Sequence, residues 1–487
     1  MKLIINPIVF VVLSLASFVC QSESVVQRAE RCFVDAGKKY SEVLACYRKA
    51  HVQETLQYTK QNTQHLDGAE KRAFLLTSQD WSPQPGITPA AWTHDVTIYI
   101  PADARQKRAL LIVNNGINYA GDKEPIKEAT DLSENTLLSI AKKTQTIVIS
   151  VSNVPNQYLR YADGGLRKED DSVAYSWRLF LNNPEKNAFT PLQVPMTEAV
   201  VKAMDLAEQE LKPQHINEFI LAGASKRGWA VWLTAVVDTR VTAIVPFVID
   251  ILNTREVVQY TFKTYGNNWP LAFGAYLKEK VVQDIDTEQS GKLMQIVDPL
   301  QYEHSAYKKR LAIPKYVVNA SSDEFFVSDN ARFYFDHLQG EKSLRVAPNS
   351  GHYGIKDFVE SALETSVLRL QASKPLPTVT ATLHTGGGVD LRFSEPPLRV
   401  MRWTAANSDA RDFRFPCGHQ YESTSVTPQG VAASTTFIAP KKGWTASFVE
   451  AQFSDGFVAT SRVYITPDAH YPNSAPPVVE PYCKTLP

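Results

Sequence analysis

Short apolar runs without helical period alternate with stretches of helical spacing through the middle of the chain. Residues 109–113, 146–151, 219–222, 241–249, 314–320 and 344–346 are such runs. Each reads as a strand covered on both faces. Val96, Ile98 and Ile100 alternate instead, which predicts a strand with one solvated face. Helical spacing fills residues 133–143, 171–181 and 196–211, the last with Val200, Met204, Ala207 and Leu211 on one face. It returns at 328–338, with Ser328 as N-cap, and in a closing helix over 355–371. Strands alternating with helices in this way predict an α/β fold around a largely parallel sheet.

Three stretches break the rhythm. Residues 252–313 are helical and aromatic, with Tyr265, Trp269 and Phe273, and read as an insertion that forms a lid. Beyond the proline-rich 373–377, short alternating stretches separated by Gly, Pro, Asn and Asp predict a small antiparallel β-sandwich over 378–487. Residues 27–61 read as a helical hairpin broken at Ala36-Gly37, within an N-terminal extension spanning 23–61. The body between extension and sandwich is 62–372.

At the start, Met1-Lys2 precedes an apolar run from Leu3 to Val19, with Ser22 or Ser24 as the small residue for cleavage. This predicts a signal peptide over 1–22 and a secreted or periplasmic product without a stable membrane anchor. Val19 is too bulky beside Cys20 for a lipoprotein signal. Four cysteines then remain: Cys32, Cys46, Cys417 and Cys483. Three pairings are possible, and proximity in sequence favours Cys32–Cys46 and Cys417–Cys483. Lysine plus arginine, at 51, equals aspartate plus glutamate, at 51, so no global field favours nucleic acid or anionic lipid. No C-x-x-C or close His/Cys cluster suggests a metal, and no cofactor is expected.

The chemistry centres on Gly223-Ala-Ser-Lys-Arg-Gly228 between a buried strand and a helix. A serine at such a corner is the nucleophile elbow of α/β-hydrolases, its hydroxyl pushed out of the sheet toward the free N–H groups of the new helix. The pattern departs from G-x-S-x-G: Arg227 stands where a small residue is usual, and the glycine follows one place later. The plainer reading is that Ser225 only caps the helix. Context decides between them. Asp323 follows a later strand and His352 the next one, in the chain order Ser, Asp, His of this fold. The loop after residues 109–113, Asn114-Asn115-Gly116-Ile117, sits where the second oxyanion donor belongs. The expected site is therefore Ser225, Asp323 and His352, with backbone N–H groups of Lys226, Gly116 and Ile117 as the oxyanion hole. His94 reads as a structural histidine. Lys226 and Arg227 also read as salt-bridge partners of Asp250, Glu324 or another carboxylate.

These residues resemble the PhoPQ-activated pathogenicity-related protein family and the related secreted autocrine proliferation repressors. The likeness is carried by Thr77-Ser-Gln-Asp-Trp81, Trp92-Thr-His94, Val113-Asn-Asn-Gly116, Gly223-Ala-Ser-Lys-Arg-Gly-Trp229 and Asn349-Ser-Gly-His352. Farther on it is carried by Trp403-Thr-Ala-Ala-Asn407, Arg411-Asp-Phe-Arg414 and Gly443-Trp-Thr-Ala446. It spans roughly residues 74–468 and implies an exported protein with an α/β-hydrolase fold. The elbow, with Lys226 directly after the serine, is also similar to that of glucuronoyl esterases. The full expectation is an α/β-hydrolase fold with a helical lid, followed by a β-sandwich. Its function would be that of a serine hydrolase acting on an ester or peptide bond of a small-molecule or peptide substrate. The competing expectation is a catalytically silent binding or signalling protein, with the C-terminal region meeting a protein or surface partner.

Overall fold

The structure, a computed structural model, describes residues 23–104, 108–118 and 125–487. The expected signal peptide over 1–22 lies outside them. Nine strands form one sheet. They are β1 (Gln57–Leu66), β2 (Ala69–Asp80), β3 (Ala91–Pro101), β4 (Ala109–Val113), β5 (Val148–Val151), β6 (Phe219–Ala224), β7 (Val241–Phe247), β8 (Lys315–Ala320) and β9 (Lys342–Ala347). Their order in space is β1-β2-β3-β5-β4-β6-β7-β8-β9. The strands β1 to β3 are antiparallel, β3 pairs antiparallel with β5, and β4 to β9 run parallel. The reversal between β5 and β4 is the hydrolase arrangement.

The helices are α1 (Val25–Asp35), α2 (Val43–His51), α3 (Glu134–Thr144), α4 (Glu169–Asn182), α5 (Gln193–Glu210), α6 (Lys226–Val237), α7 (Thr254–Thr264), α8 (Gly274–Lys278), α9 (Glu288–Val297) and α10 (Lys356–Gln371). They cover both faces of the sheet. In β4, Leu111 and Val113 join the core that holds Val200 of α5 and Trp232 of α6. Leu110 and Ile112 point the other way, onto Ile140 of α3 and Leu363 of α10. Burial on both sides is why these strands are apolar without alternation. Among the described residues no helix is long and apolar enough to cross a membrane.

Two expected elements differ. The N-terminal hairpin ends at His51, and residues 57–61, expected to be helical, begin strand β1. That strand is polar and almost wholly exposed, so it carries no apolar alternation; its pairing with β2 alone makes it a strand. Residues 328–338 form two short 3-10 turns, Asn330–Phe333 and Phe335–His337, in place of one helix. Here tertiary bonds outweigh local propensity: Asn330 donates to Asp250 O at 3.1 Å, and Asp329 accepts from Tyr260 at 2.6 Å.

Most of the C-terminal strands form two antiparallel sheets, while Thr485–Leu486 pairs with Trp269–Pro270. One holds Val379–Leu383, Gly388–Phe393 and Ala432–Thr436; the other is built on Arg399–Asn407 and Trp444–Gln452. Leu391 and Phe393 of the first share a core with Val400, Val449 and Ala451 of the second. The second sheet also covers the open edge of the large one. Val346 donates to Thr460 Oγ1 at 3.0 Å and Tyr316 to Val458 O at 2.5 Å. A buried edge cannot template pairing with another chain.

Both expected disulfides are present, Cys32–Cys46 and Cys417–Cys483. Their sequence separations are 14 and 66. Cross-linking a longer loop removes more entropy from the unfolded chain, about 3 kcal/mol for the shorter loop and about 4 for the longer. Replacing both cysteines of the C-terminal pair by serine is therefore expected to cost more stability than the same change in the N-terminal pair. Urea midpoints of the two double variants measure this, and the reverse order would exclude loop entropy as the controlling term.

Candidate active site

Ser225 lies at the corner between β6 and α6 with φ 55° and ψ −126°. A non-glycine residue rarely adopts positive φ, and holding it costs on the order of 1–3 kcal/mol. Two backbone bonds hold the corner. Ser225 N–H donates to Phe247 O at 2.8 Å, and Trp229 N–H donates to Ser225 O at 3.0 Å. The Ser225 side chain makes no capping bond, so its hydroxyl is not consumed by the helix. A Cβ on Gly223 would lie 2.9 Å from the Arg227 carbonyl carbon, and one on Gly228 would lie 2.8 Å from Gly223 O. The close packing usually made two places after the serine is thus made three places after it. Arg227 fits because its side chain leaves the elbow. Its Nε donates to Val154 O at 2.6 Å and its guanidinium binds both oxygens of Glu169.

His352 stands on the loop between β9 and α10, and Asp323 on the loop after β8. His352 Nδ1 lies 2.9 Å from Asp323 Oδ2 and 3.1 Å from Oδ1, with both side chains buried. Asp323 Oδ1 also accepts the N–H groups of Phe325 at 2.8 Å and Phe326 at 3.3 Å. Glu324 holds the histidine from behind, accepting His352 N–H at 2.5 Å. Burial pushes the Glu324 carboxyl up, tempered by that N–H. His352 and Ser225 line one cavity of about 260 Å³, and no hydrogen bond joins them among the described residues. Such bonds are commonly long without substrate and shorten when it binds.

The cavity opens where the chain reverses direction in the sheet: the loops after β4 and β6 diverge there, a common place for ligands in open α/β sheets. Gly116 lies in this wall with φ 134°, and a Cβ there would meet Asn153 Oδ1 at 2.2 Å. Only glycine fits that position. Ile117 also lines the cavity, but its N–H is spent on Lys127 O at 2.9 Å. The expectation of Ile117 as a donor is therefore corrected: a backbone bridge occupies the group. Lys226 opens α6, where the first N–H groups have no partner within the helix.

Sequence reasoning missed the charged floor of the cavity. Lys226 Nζ lies 2.8 Å from Asp170 and 3.1 Å from Glu169, and Gln157 Nε2 donates to Glu169 at 2.7 Å. Burial alone would raise Glu169, yet Arg227 and Lys226 hold it below the usual carboxylate range. Burial likewise opposes the Lys226 charge, yet Asp170 and Glu169 hold its pKa above the ordinary lysine value. The partners of Lys226 and Arg227 are thus Glu169 and Asp170, with Asp131 4.0 Å from Arg227, and not Asp250 or Glu324. The run Lys168-Glu-Asp-Asp171 at the start of a helix was the available signal. His94 is structural: fully buried, it lies 3.0 Å from Ser78 Oγ and 3.1 Å from Ser152 O.

Asp250, after β7, is buried and pushed up to about 8 by that burial; a hydrogen bond with Tyr334 opposes the rise and the Asp323 charge adds to it. A folded-state pKa above the ordinary 3.8 means that this group favours folding most at low pH. That contribution is lost as pH rises toward about 8. Asparagine does not titrate. Thermal midpoints of Asp250→Asn should therefore be flatter over this window than those of the wild type, and higher at about pH 9. Parallel curves would refute the assignment.

The sheet order and the elbow define an α/β-hydrolase fold. The chain belongs to the PhoPQ-activated pathogenicity-related protein family, whose sequence profile matches residues 44–414. It is similar to autocrine proliferation repressor protein A of Dictyostelium discoideum, 31% identical over 427 residues, covering 82% of this chain and 84% of that protein. Among solved structures it is similar to an acetyl xylan esterase from Paenibacillus sp. R4. That match has 14% identity and a TM-score of 0.41, and covers 73% of this chain and 97% of the other. A glucuronoyl esterase from Solibacter usitatus matches at 13% identity and a TM-score of 0.35, over 72% and 83% of the two chains.

Proposed function

We propose that the protein is an exported serine hydrolase that cleaves an acyl bond, ester or peptide, through an acyl-enzyme. The observation that carries this reading is that Ser225, on a positive-φ corner, and His352, backed by Asp323 at 2.9 Å, line one cavity. His352 Nε2 takes the Ser225 proton as Oγ attacks the acyl carbon. Asp323 holds Nδ1–H and stabilises the imidazolium. N–H groups of Lys226 and Gly116 receive the oxyanion. The proton passes to the leaving group as its bond to the acyl carbon breaks. Water, deprotonated by the same histidine, then releases the acid and restores Ser225.

A second reading is a signalling protein on the same scaffold. It draws on the name of the Dictyostelium relative, a repressor of proliferation. A bulky residue at position 227 would favour it by blocking the elbow, but the Arg227 side chain is turned toward Glu169. The discriminating experiment is fluorophosphonate labelling of the purified mature protein with peptide mapping. A Ser225 adduct that is lost in His352→Ala supports the hydrolase. No adduct on folded protein supports the signalling reading.

A further inference from the structure

Ser225 borders two cavities of opposite character. The first, already described, is charged and holds His352, Gly116 and Lys226 in its wall. The second, of about 40 Å³, lies beneath the helical insertion and is lined by Trp177, Trp229, Val258, Phe273, Val282 and Ile285, among others. His352 does not line it. Its neighbours Phe325 and Phe326 do, their ring centroids 4.6 and 6.0 Å from the imidazole. Polar side chains in the wall other than Ser225 already have partners, and Lys226 and Asp170, which also line it, pair with each other at 2.8 Å. Trp177 Nε1 donates to Gln193 at 2.8 Å, Trp229 Nε1 to Val297 O, Thr254 to Ile251 O at 2.9 Å, and Tyr276 to Asp170 at 2.9 Å.

The stereochemistry of acyl transfer assigns the two cavities, given the hydrolase reading above. Besides Oγ, the tetrahedral carbon carries three groups. The oxyanion must face N–H donors, and the leaving oxygen must face the histidine that protonates it. Both needs place those groups in the charged cavity. The remaining group, the acyl chain, is left for the apolar one. We propose that this cavity binds the acyl group of an ester between a short, uncharged aliphatic acid and a polar alcohol. A volume of about 40 Å³ holds roughly three water-sized groups, so the acyl chain has about two to four carbons. An aminoacyl or dicarboxylic chain would bring a polar or charged group against a mainly apolar wall whose charged side chains, Lys226 and Asp170, already neutralise each other. In the reaction the Oγ–acyl bond forms and the acyl–alkoxy bond breaks. The serine proton reaches the departing alcohol through His352, and water completes the hydrolysis.

The test is a series of p-nitrophenyl esters from acetate to dodecanoate, run on the full mature chain beside fluorophosphonate mapping of Ser225. The ratio kcat/KM should rise by about fourfold per methylene from acetate to butyrate, the effect of burying one CH2. It should fall at least about tenfold by octanoate, where the chain outgrows the cavity. The monosuccinate ester should react at least about tenfold more slowly than butyrate. Ile285→Ala should move the optimum to a longer chain, with its thermal midpoint measured to confirm folding. Labelling of Ser225 with a flat series, a rate rising through dodecanoate, or preference for succinate would overturn the cavity assignment and leave the hydrolase standing. If Ser225 is not labelled and no ester turns over, both readings fall together.

Discussion

Ser225→Ala is expected to lower kcat/KM for the best ester substrate by roughly 10⁴- to 10⁶-fold while leaving the fold intact. The size follows from what is lost. Alanine cannot form the acyl-enzyme, so the pathway through Oγ closes and only binding and the oxyanion donors remain to assist water. The alanine methyl adds nothing to the corner, and the bonds that hold it, from Ser225 N–H to Phe247 O and from Trp229 N–H to Ser225 O, are backbone bonds. His352→Ala should cost a similar factor, and Asp323→Asn roughly 10⁴, since the amide no longer holds the imidazole with Nδ1 protonated. The double variant Ser225→Ala with His352→Ala should be little worse than either alone, because the residues act as one unit. Steady-state rates on the four proteins provide the measurement. Additive losses, or a Ser225→Ala enzyme within about tenfold of wild type, would rule out the triad mechanism.

Arg411→Met should destabilise the protein by about 3–5 kcal/mol. The Arg411 side chain is fully buried. It lies 3.2 Å from Asp329 Oδ2 and 3.3 Å from Thr264 Oγ1, with the Tyr260 and Tyr471 rings each 5.1 Å from its guanidinium carbon. Asp329, equally buried, also accepts from Tyr260 at 2.6 Å and Arg332 at 3.3 Å. Removing the guanidinium leaves that carboxylate with less compensation than its desolvation requires. The double change Arg411→Met with Asp329→Leu should recover much of the loss, since a buried pair replaced whole by apolar groups is often neutral. Calorimetry of the two variants decides. A single variant within about 1 kcal/mol of wild type, or a double variant no better than the single, would show the pair to be unimportant.

The same segment reaches the site. Phe415 N–H donates to Ser322 O at 2.8 Å and Tyr421 OH to Ser321 O at 3.2 Å, beside Asp323. Asn349 exchanges bonds with the Tyr421 backbone at 2.6 and 3.0 Å, three residues before His352. Loosening residues 411–421 should therefore also lower kcat for any acyl transfer at Ser225.

Much of this was legible in the chain, for reasons specific to each part. The parallel strands announced themselves because burial on both faces demands unbroken apolar runs such as Ala109–Val113 and Phe219–Ala224. The elbow was visible because close backbone approach demands Gly223 and Gly228. The order Ser225, Asp323, His352 follows from which strand precedes each residue, and sequence carries that order directly. Strand β1 was invisible because an exposed polar strand depends on its neighbour rather than on its own pattern. The fate of Arg227 was undecidable until Glu169, 58 residues earlier in the chain, was brought against it. Ile117 illustrates the same limit, since its N–H was lost to a carbonyl across a loop. Local periodicity and order along the chain determined the fold class and picked out Ser225, Asp323 and His352 as the candidate site. Which backbone groups stay free, which charges neutralise one another, and which cavity lies on each side of Ser225 are long-range pairings, and only the tertiary structure decided them.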